Sequence, residues 1–461
     1  MEYPAGTWQA LHLAAADGFY QHSCGTFCTS GTARAVLHGN QLFRGGMLKR
    51  NQSAACRTGG SMAASMKFTK PFTQQEPIPA AAIERAVEIM QSGRLHRYNL
   101  AEGDSNEASR LEREYADWQG VDYCVACTSG GYAIQLALRA CGVMPGDKIL
   151  ANAYTLAPVP GAIHNVGGVA VLVDIDFDYH IDMADLEAKA VESGARFLLL
   201  SHMRGHIADM DRLADICKRL DICMIEDCAH TMGASWRNCR SGNFGKAAAF
   251  STQTYKHMNS GEGGFLTTND PVVAARAVVS SGSYMLYGRH GAIPAEEVFA
   301  EVKLLSPNYS GRMDHLRAAL LRAQLPAIED SISRWNVLYD TLAARLRAMT
   351  GVVIPSRRQE EFYVGSSIQF RAEGLGRDQI PMLMEACAAR GVELKWFGDD
   401  EPKAFTSRYD SWKYIDDIPH LPGTLAVLEK TLDMRVPLTF DTQDCHLIAD
   451  IIEEEVRRLL P

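Results

Sequence analysis

No stretch of the 461-residue chain reaches the roughly 18 consecutive apolar residues of a membrane-spanning helix, so no membrane partner is expected. Excess positive charge is missing as well. Lysine and arginine total 46 against 55 aspartate and glutamate, a formal net charge of −9. That balance argues against a nucleic-acid partner. Internal repeats and low-complexity tracts are absent, and the apolar content of 47% excludes a disordered, collagen-like or fibrous chain. There are 12 cysteines, but Cys124-x-x-Cys127 has no second pair at matching spacing for a zinc site. Other cysteines lie in apolar runs such as Ile222-Cys223-Met224-Ile225, where a thiol serves as a small hydrophobe. A chain of this size needs no disulfides, so reduced thiols and a cytoplasmic location are expected.

Acid is scarce at the start. Residues 1–66 hold five basic residues (Arg34, Arg44, Lys49, Arg50, Arg57) and only two acidic ones, Glu2 and Asp17. The segment lacks a sustained helical or strand period. It also lacks the unbroken apolar core of a secretory signal, since His12, Asp17 and His22 interrupt it. Three readings stay open: upstream sequence without function, an organellar targeting segment, or a structured extension. Under the first, Met62 or Met66 begins the protein proper, and residues 1–66 are expected to be dispensable for catalysis.

Beyond residue 78, helical and strand-like segments alternate. The pattern predicts helices over 78–92, 108–120, 132–141 and 210–220. Strands are predicted over 123–127, 148–151, 169–173, 197–200, 222–225, 247–251 and 264–267. Apolar strands alternating with helices indicate an α/β fold with a mostly parallel sheet covered on both faces. A long helix is expected over 312–349, then strand and helix segments at 366–370, 379–390, 393–396, 425–432 and 444–460. The expected organisation is a large domain over 67–325 and a smaller α/β domain over 326–461.

Polar residues gather just after the strands, at the edge where open α/β sheets bind ligands. Thr128-Ser129-Gly130-Gly131-Tyr132 follows a strand and opens a helix, whose free N–H groups suit an anion. Glu226-Asp227-Cys228-Ala229-His230 follows another strand. Ser251-Thr252-Gln253-Thr254-Tyr255-Lys256 follows a third and carries a lysine that would become a nucleophile if its pKa were lowered. Gly261-Glu262-Gly263-Gly264 is a glycine-rich turn without the GxGxxG fingerprint. A phosphate cradle, a strand-end aspartate and a strand-end lysine are together what pyridoxal phosphate requires.

These segments resemble the DegT/DnrJ/EryC1/StrS family over about residues 70–460. Further matches are Pro145-Gly146-Asp147, Val173-Asp174-Ile175-Asp176, His202-x-x-Gly205-x-x-Ala208-Asp209-Met210-Asp211, Asn308-Tyr309 with Arg312-Met313, and Gln324-Leu325. The resemblance implies a fold-type-I, aspartate-aminotransferase-like enzyme. It implies pyridoxal 5′-phosphate as cofactor, with pyridoxamine 5′-phosphate as its amino-carrying form. Transfer would run from glutamate or glutamine to a keto sugar, nucleotide keto sugar or keto cyclitol, by a ping-pong cycle in a homodimer. By this resemblance Lys256 is the Schiff-base lysine, Asp227 faces the pyridine nitrogen and His230 the ring hydroxyl. Ser251 and the Ser129-Gly130-Gly131 backbone hold the phosphate, and Asn308 reaches the phosphate of a neighbouring subunit.

Four positions depart from the family pattern. Gly131 stands where threonine is usual. Leu156 stands where an aromatic stacks on the ring, leaving Tyr154 as a substitute. Ser310-Gly311 separate Asn308-Tyr309 from Arg312-Met313, and His257 replaces an asparagine. A dehydratase on the same scaffold and a non-catalytic cofactor-binding regulator are the alternative functions. Candidate substrate contacts are His202, Tyr284, Tyr287, Arg289 and His290. His202 and His206 have i, i+4 spacing, but Gly205 between them favours a loop, and no metal is expected.

Overall fold

A computed structural model describes residues 66–103 and 106–461. The expectations for residues 1–65 therefore lie outside the described residues.

Seven strands form the main sheet: β1 (Tyr123–Cys127), β2 (Lys148–Asn152), β3 (Val169–Val173), β4 (Phe197–Ser201), β5 (Cys223–Asp227), β6 (Ala247–Ser251) and β7 (Gly264–Thr268). Their order is β1-β7-β6-β5-β4-β2-β3. The pairs β2–β3, β2–β4, β4–β5 and β5–β6 are parallel, whereas β7 runs antiparallel to both β6 and β1. The alternation of side chains along a strand divides the core in two. Leu198 and Leu200 of β4 point into one buried cluster and Leu199 into the other. Cys124 and Cys127 also fall on opposite faces, which removes them as a redox or metal pair.

The covering helices follow their apolar spacing. Helix Met210–Arg219 buries Met210, Leu213, Ile216 and Cys217, and Asp209 caps it by accepting from Arg212 N at 3.1 Å. Each fully buried aliphatic side chain of this kind contributes ~1.5–3 kcal/mol.

A second, antiparallel sheet contains β8 (Ser367–Arg371), β9 (Lys395–Trp396) and β10 (Thr431–Arg435) in the order β8-β10-β9. Helices Ile328–Arg347 and Thr442–Leu459 cover it through Leu342, Leu346, Ile448 and Ile452. Phe68 and Phe72 join this smaller core, each edge-on to Phe440 at 5.0 Å.

The long helix expected over 312–349 is two helices. His315–Gln324 ends at a short turn, Leu325–Ala327, before Ile328–Arg347 begins. Pro326 has no N–H for the helical ladder, and this breaks the run. The segment 425–432 likewise straddles helix Pro422–Lys430 and β10.

Candidate active site

The C-terminal ends of β4, β5 and β6 open into a cavity of about 380 Å³, lined by residues of both sheets. Ser129, Gly130, Gly131, Leu156, Asp227, His230, Ser251 and Lys256 all reach it, so most of the expected cofactor residues share one space.

Helix Gly130–Ala140 begins at its edge. Ser129 Oγ caps the helix by accepting from Tyr132 N at 3.1 Å. The N–H groups of Gly130 and Gly131 belong to the first turn, which has no helical acceptors for them. Gly130 must be glycine, because a Cβ there would lie 2.6 Å from Ser251 Cβ. The helix start and the Ser251 hydroxyl thus meet as one set of donors.

Alternation along β5 separates the two acids of the Glu226-Asp227 pair. Glu226 turns into the core, where its carboxylate accepts from Gly242 N, Phe244 N, Gly245 N and His202 Nε2 at 2.7–3.0 Å. It ties a loop down. Asp227 turns to the cavity. Its Oδ2 accepts from Ser201 Oγ at 2.8 Å, and Ser201 in turn accepts from Thr155 Oγ1 at 2.8 Å. Ala229 N donates to Oδ1 at 3.1 Å. Only neutral donors hold this carboxylate, so its charge is available to a ligand.

Lys256 Nζ lies 2.6 Å from His230 Nε2 and forms no ion pair among the described residues. Burial and the guanidinium of Arg204 hold the Lys256 pKa at about 7 rather than 10.5, against the opposing pull of Asp227. His230 is pushed well below its usual range, first by burial and then by Lys256, and stays neutral. Burial also lowers His257 to about 3. Its Nε2 lies 3.1 Å from Ser366 Oγ and its ring is edge-on to Trp335.

Several expected site residues lie elsewhere. Tyr154 is 1% exposed and packs against Tyr179 and Phe397, so Leu156, not Tyr154, presents the apolar wall. His202 is committed to Glu226 behind the sheet edge, and His206 to Gln369 Oε1 at 2.8 Å, so the two histidines do not converge on a metal. Tyr287 stacks on Phe299, and Tyr284 is exposed. Arg289 donates to Tyr98 O at 2.7 Å. His290 is buried against Glu112 and Tyr98. Asn308 is exposed, accepts from Ser310 N at 3.0 Å and does not line the cavity of its own chain.

The cavity also holds residues that sequence reasoning did not find: Arg204, Ser201, Gln253, Tyr255 and Arg435. Arg204 lies inside the quoted His202-x-x-Gly205 segment, and a basic side chain at a strand's carboxyl edge was the available signal. Arg435 offered none, because its partners come from distant parts of the chain.

Pyridoxal phosphate requires an anion cradle, a carboxylate for the ring nitrogen and an amine free of ion pairs. The close Gly130–Ser251 approach, the neutrally held Asp227 and the unpaired Lys256 supply these in one cavity. The residues present fit the group.

Comparison with known proteins agrees. The chain is 29% identical over 368 residues to a putative L-glutamine:3-amino-2,3-dideoxy-scyllo-inosose aminotransferase of Streptoalloteichus tenebrarius, covering 76% of this chain and 83% of that one. It is 33% identical over 240 residues to the GDP-perosamine synthase of Caulobacter vibrioides, covering 51% and 62%. The crystal structure of a 3-amino-5-hydroxybenzoic acid synthase superposes with a TM-score of 0.71 at 25% identity, over 84% of this chain and 98% of that one. The model of the DegT/DnrJ/EryC1/StrS aminotransferase family matches residues 78–417. The chain belongs to this family of pyridoxal-phosphate-dependent enzymes and is an aminotransferase.

Proposed function

We propose that the enzyme transfers an amino group from glutamine or glutamate to a ketone on a sugar, nucleotide sugar or cyclitol, in two half-reactions that share one site. The substrates named for the relatives support this range. The observation that carries it is the single cavity that gathers Lys256, Asp227, Ser251 and the Gly130–Gly131 helix start.

Bound pyridoxal 5′-phosphate supplies a carbonyl for the donor's amino group and a ring that accepts electrons. Asp227 would keep the ring nitrogen protonated, with the Thr155–Ser201 chain fixing its orientation. Ser129, Gly130, Gly131 and Ser251 would hold the phosphate by N–H and O–H donors. Leu156 lines the cavity and would offer the cofactor ring an apolar side chain, and His230 stays neutral beside Lys256. Lys256 Nζ, with a pKa of about 7, takes a proton from the donor Cα and returns one to the acceptor carbon near neutral pH.

The test is Lys256→Ala. Turnover is expected to fall by about 10³-fold or more, as when a covalent and proton-moving group is lost. A variant with full turnover would sink the proposal.

A further inference from the structure

Of the nine cysteines among the described residues, six are buried, and only Cys141, Cys223 and Cys239 are partly exposed. Cys239 Sγ turns to the neighbouring carbonyl, Arg240 O, at 3.9 Å. The other two meet. Both border the same core cluster, and their thiols lie within hydrogen-bond reach of each other.

The fold brings them together from distant parts of the chain. Helix Gly130–Ala140 starts against Ser251 at the carboxyl edge of the main sheet. Its 11 residues and the five of β5 each span about 16 Å, so the end of the helix arrives where β5 begins. Cys141 closes the helix, its N–H donating to Ala137 O at 2.9 Å, and Gly142 follows with a left-handed φ of 94°. Cys223 opens β5 opposite Phe197 of β4, its N–H donating to Arg196 O at 2.8 Å. Both backbones are therefore held, and the sulfurs face each other without a bond. Cys217 is close in sequence to Cys223 but packs into the core on the other face of the sheet.

The two thiols are not equivalent. Cys141 donates its S–H to the Cys223 sulfur, and this holds Cys223 below the usual thiol range. Burial opposes that shift, and the Lys246 ammonium assists it. Asp270, which pairs with Lys246 at 3.0 Å, and Asp221 act against it. The same hydrogen bond, with burial, pushes Cys141 up. A partly exposed sulfur beside a cation, with a second thiol in reach, is the arrangement of an oxidisable pair.

We propose that Cys141 and Cys223 are a peroxide-oxidised thiol pair that closes to a reversible disulfide between helix Gly130–Ala140 and β5. The Cys223 thiolate attacks one oxygen of hydrogen peroxide, the O–O bond breaks, and hydroxide leaves and takes a proton as water. Cys223 is then a sulfenic acid. Cys141 loses its proton, its sulfur attacks that of Cys223, and the S–O bond breaks with release of a second water. Two thiols are oxidised and one peroxide is reduced. A dithiol reductant reverses the bond by exchange. Neither cysteine lines the cavity, so the inference stands apart from the transamination reading.

The experiment treats the full-length, cofactor-loaded enzyme with a small excess of hydrogen peroxide, alkylates the remaining thiols and maps the peptides by mass. Mapping is needed because Cys24, Cys28 and Cys56 also carry thiols. Most of Cys223 is expected in a peptide joined to Cys141, and dithiothreitol should release it. Cys223 should lose its free thiol at least about tenfold faster than Cys239. In Cys141→Ser, Cys223 should pass on to the sulfinic acid, because nothing intercepts the sulfenic acid. In Cys223→Ser, Cys141 should stay a thiol, and Cys217→Ser should behave as the parent. Recovery of Cys141 and Cys223 as free thiols, or Cys223 joined to Cys217 or any other cysteine, overturns the inference. Should a serine variant not fold, the peptide map of the parent decides alone.

Discussion

Arg97 and Arg204 are both buried, and each stands against one carboxylate. Arg97 meets Glu112 with two parallel hydrogen bonds, Nη1 to Oε1 at 2.9 Å and Nη2 to Oε2 at 2.8 Å. Glu112 also accepts from Ala126 N at 3.0 Å and Gly291 N at 3.1 Å, with His290 Nδ1 3.1 Å away. Arg204 Nη2 stands 2.8 Å from Asp433 Oδ2, its Nε has no partner, and a cavity lies beside it. The first cluster leaves only Arg97 Nε of that guanidinium without a partner and joins helix Glu107–Gln119 to β1. The second is open on one side. Neither burial nor an unused N–H group separates the two arginines; the cavity beside Arg204 does.

The largest effect is expected from breaking the first cluster. Burial would raise the Glu112 pKa, but Arg97 and His290 outweigh it and hold the carboxylate well below the usual range. A lowered folded pKa means that this stability is present above the unfolded value and is lost as pH falls through the folded one. Glu112→Gln should cost about 3–5 kcal/mol at pH 7, because it strands Arg97 without its counter-charge. Denaturant melts would show it, and the penalty should shrink below about pH 4. An unchanged midpoint would mean that the pair is not structural.

Opening the second cluster further should cost less stability and change the chemistry more. Asp433 keeps its bond from Gln369 when Arg204 is removed. Arg204→Gln is expected to destabilise by about 1–3 kcal/mol, the cost of leaving one buried carboxylate oxygen without its neighbour. It should also raise the Lys256 pKa above its present value of about 7, since Arg204 is the leading charge that holds it down. In cofactor-free enzyme, unfolding releases Lys256 to an ordinary pKa near 10.5. The unfolded chain then binds more protons between those values, so stability rises with pH from about 7 to 10. Arg204→Gln should begin that rise at higher pH and reduce it. Lysine labelling against pH reads the midpoint directly, and a midpoint unmoved by the substitution would break the link.

The same contrast explains what the sequence revealed. Ser129, Gly130, Gly131, Asp227, Ser251 and Lys256 lie at strand ends, where local order and spacing carry the chemistry. Strand positions were legible because continuous apolar runs such as Phe197–Leu200 have few other uses. Arg204 and Arg435 act through partners far off in the chain, and neither sits in a local pattern that announces a pair. Their roles depend on how β10 meets the loop after β4. Tyr154 and His202 misled for the complementary reason: each has the right chemistry at the right strand end, but its neighbours on the inner side had already claimed it. His290 looked like a substrate contact in a polar loop, yet Glu112, from the helix expected over 108–120, takes it into the core.

The smallest effect concerns the cradle, where two adjacent glycines differ in the space beside them. A Cβ on Gly130 would collide with Ser251 at 2.6 Å, whereas one on Gly131 would find only Pro158 Cβ at 3.7 Å. Ordinary contact is all that a larger residue at 131 would meet. Gly131→Thr should therefore fold, and its hydroxyl would stand in the first turn of a helix whose N-terminus favours anions. One added neutral donor should tighten retention of pyridoxal phosphate by about 3- to 10-fold, as measured by equilibrium dialysis. Gly130→Ala should weaken retention, because relieving the clash moves the helix start away from Ser251. If both substitutions weakened binding equally, the space beside Gly131 would not face the phosphate, and the cradle would have to be built from Ser251 and Gly130 alone.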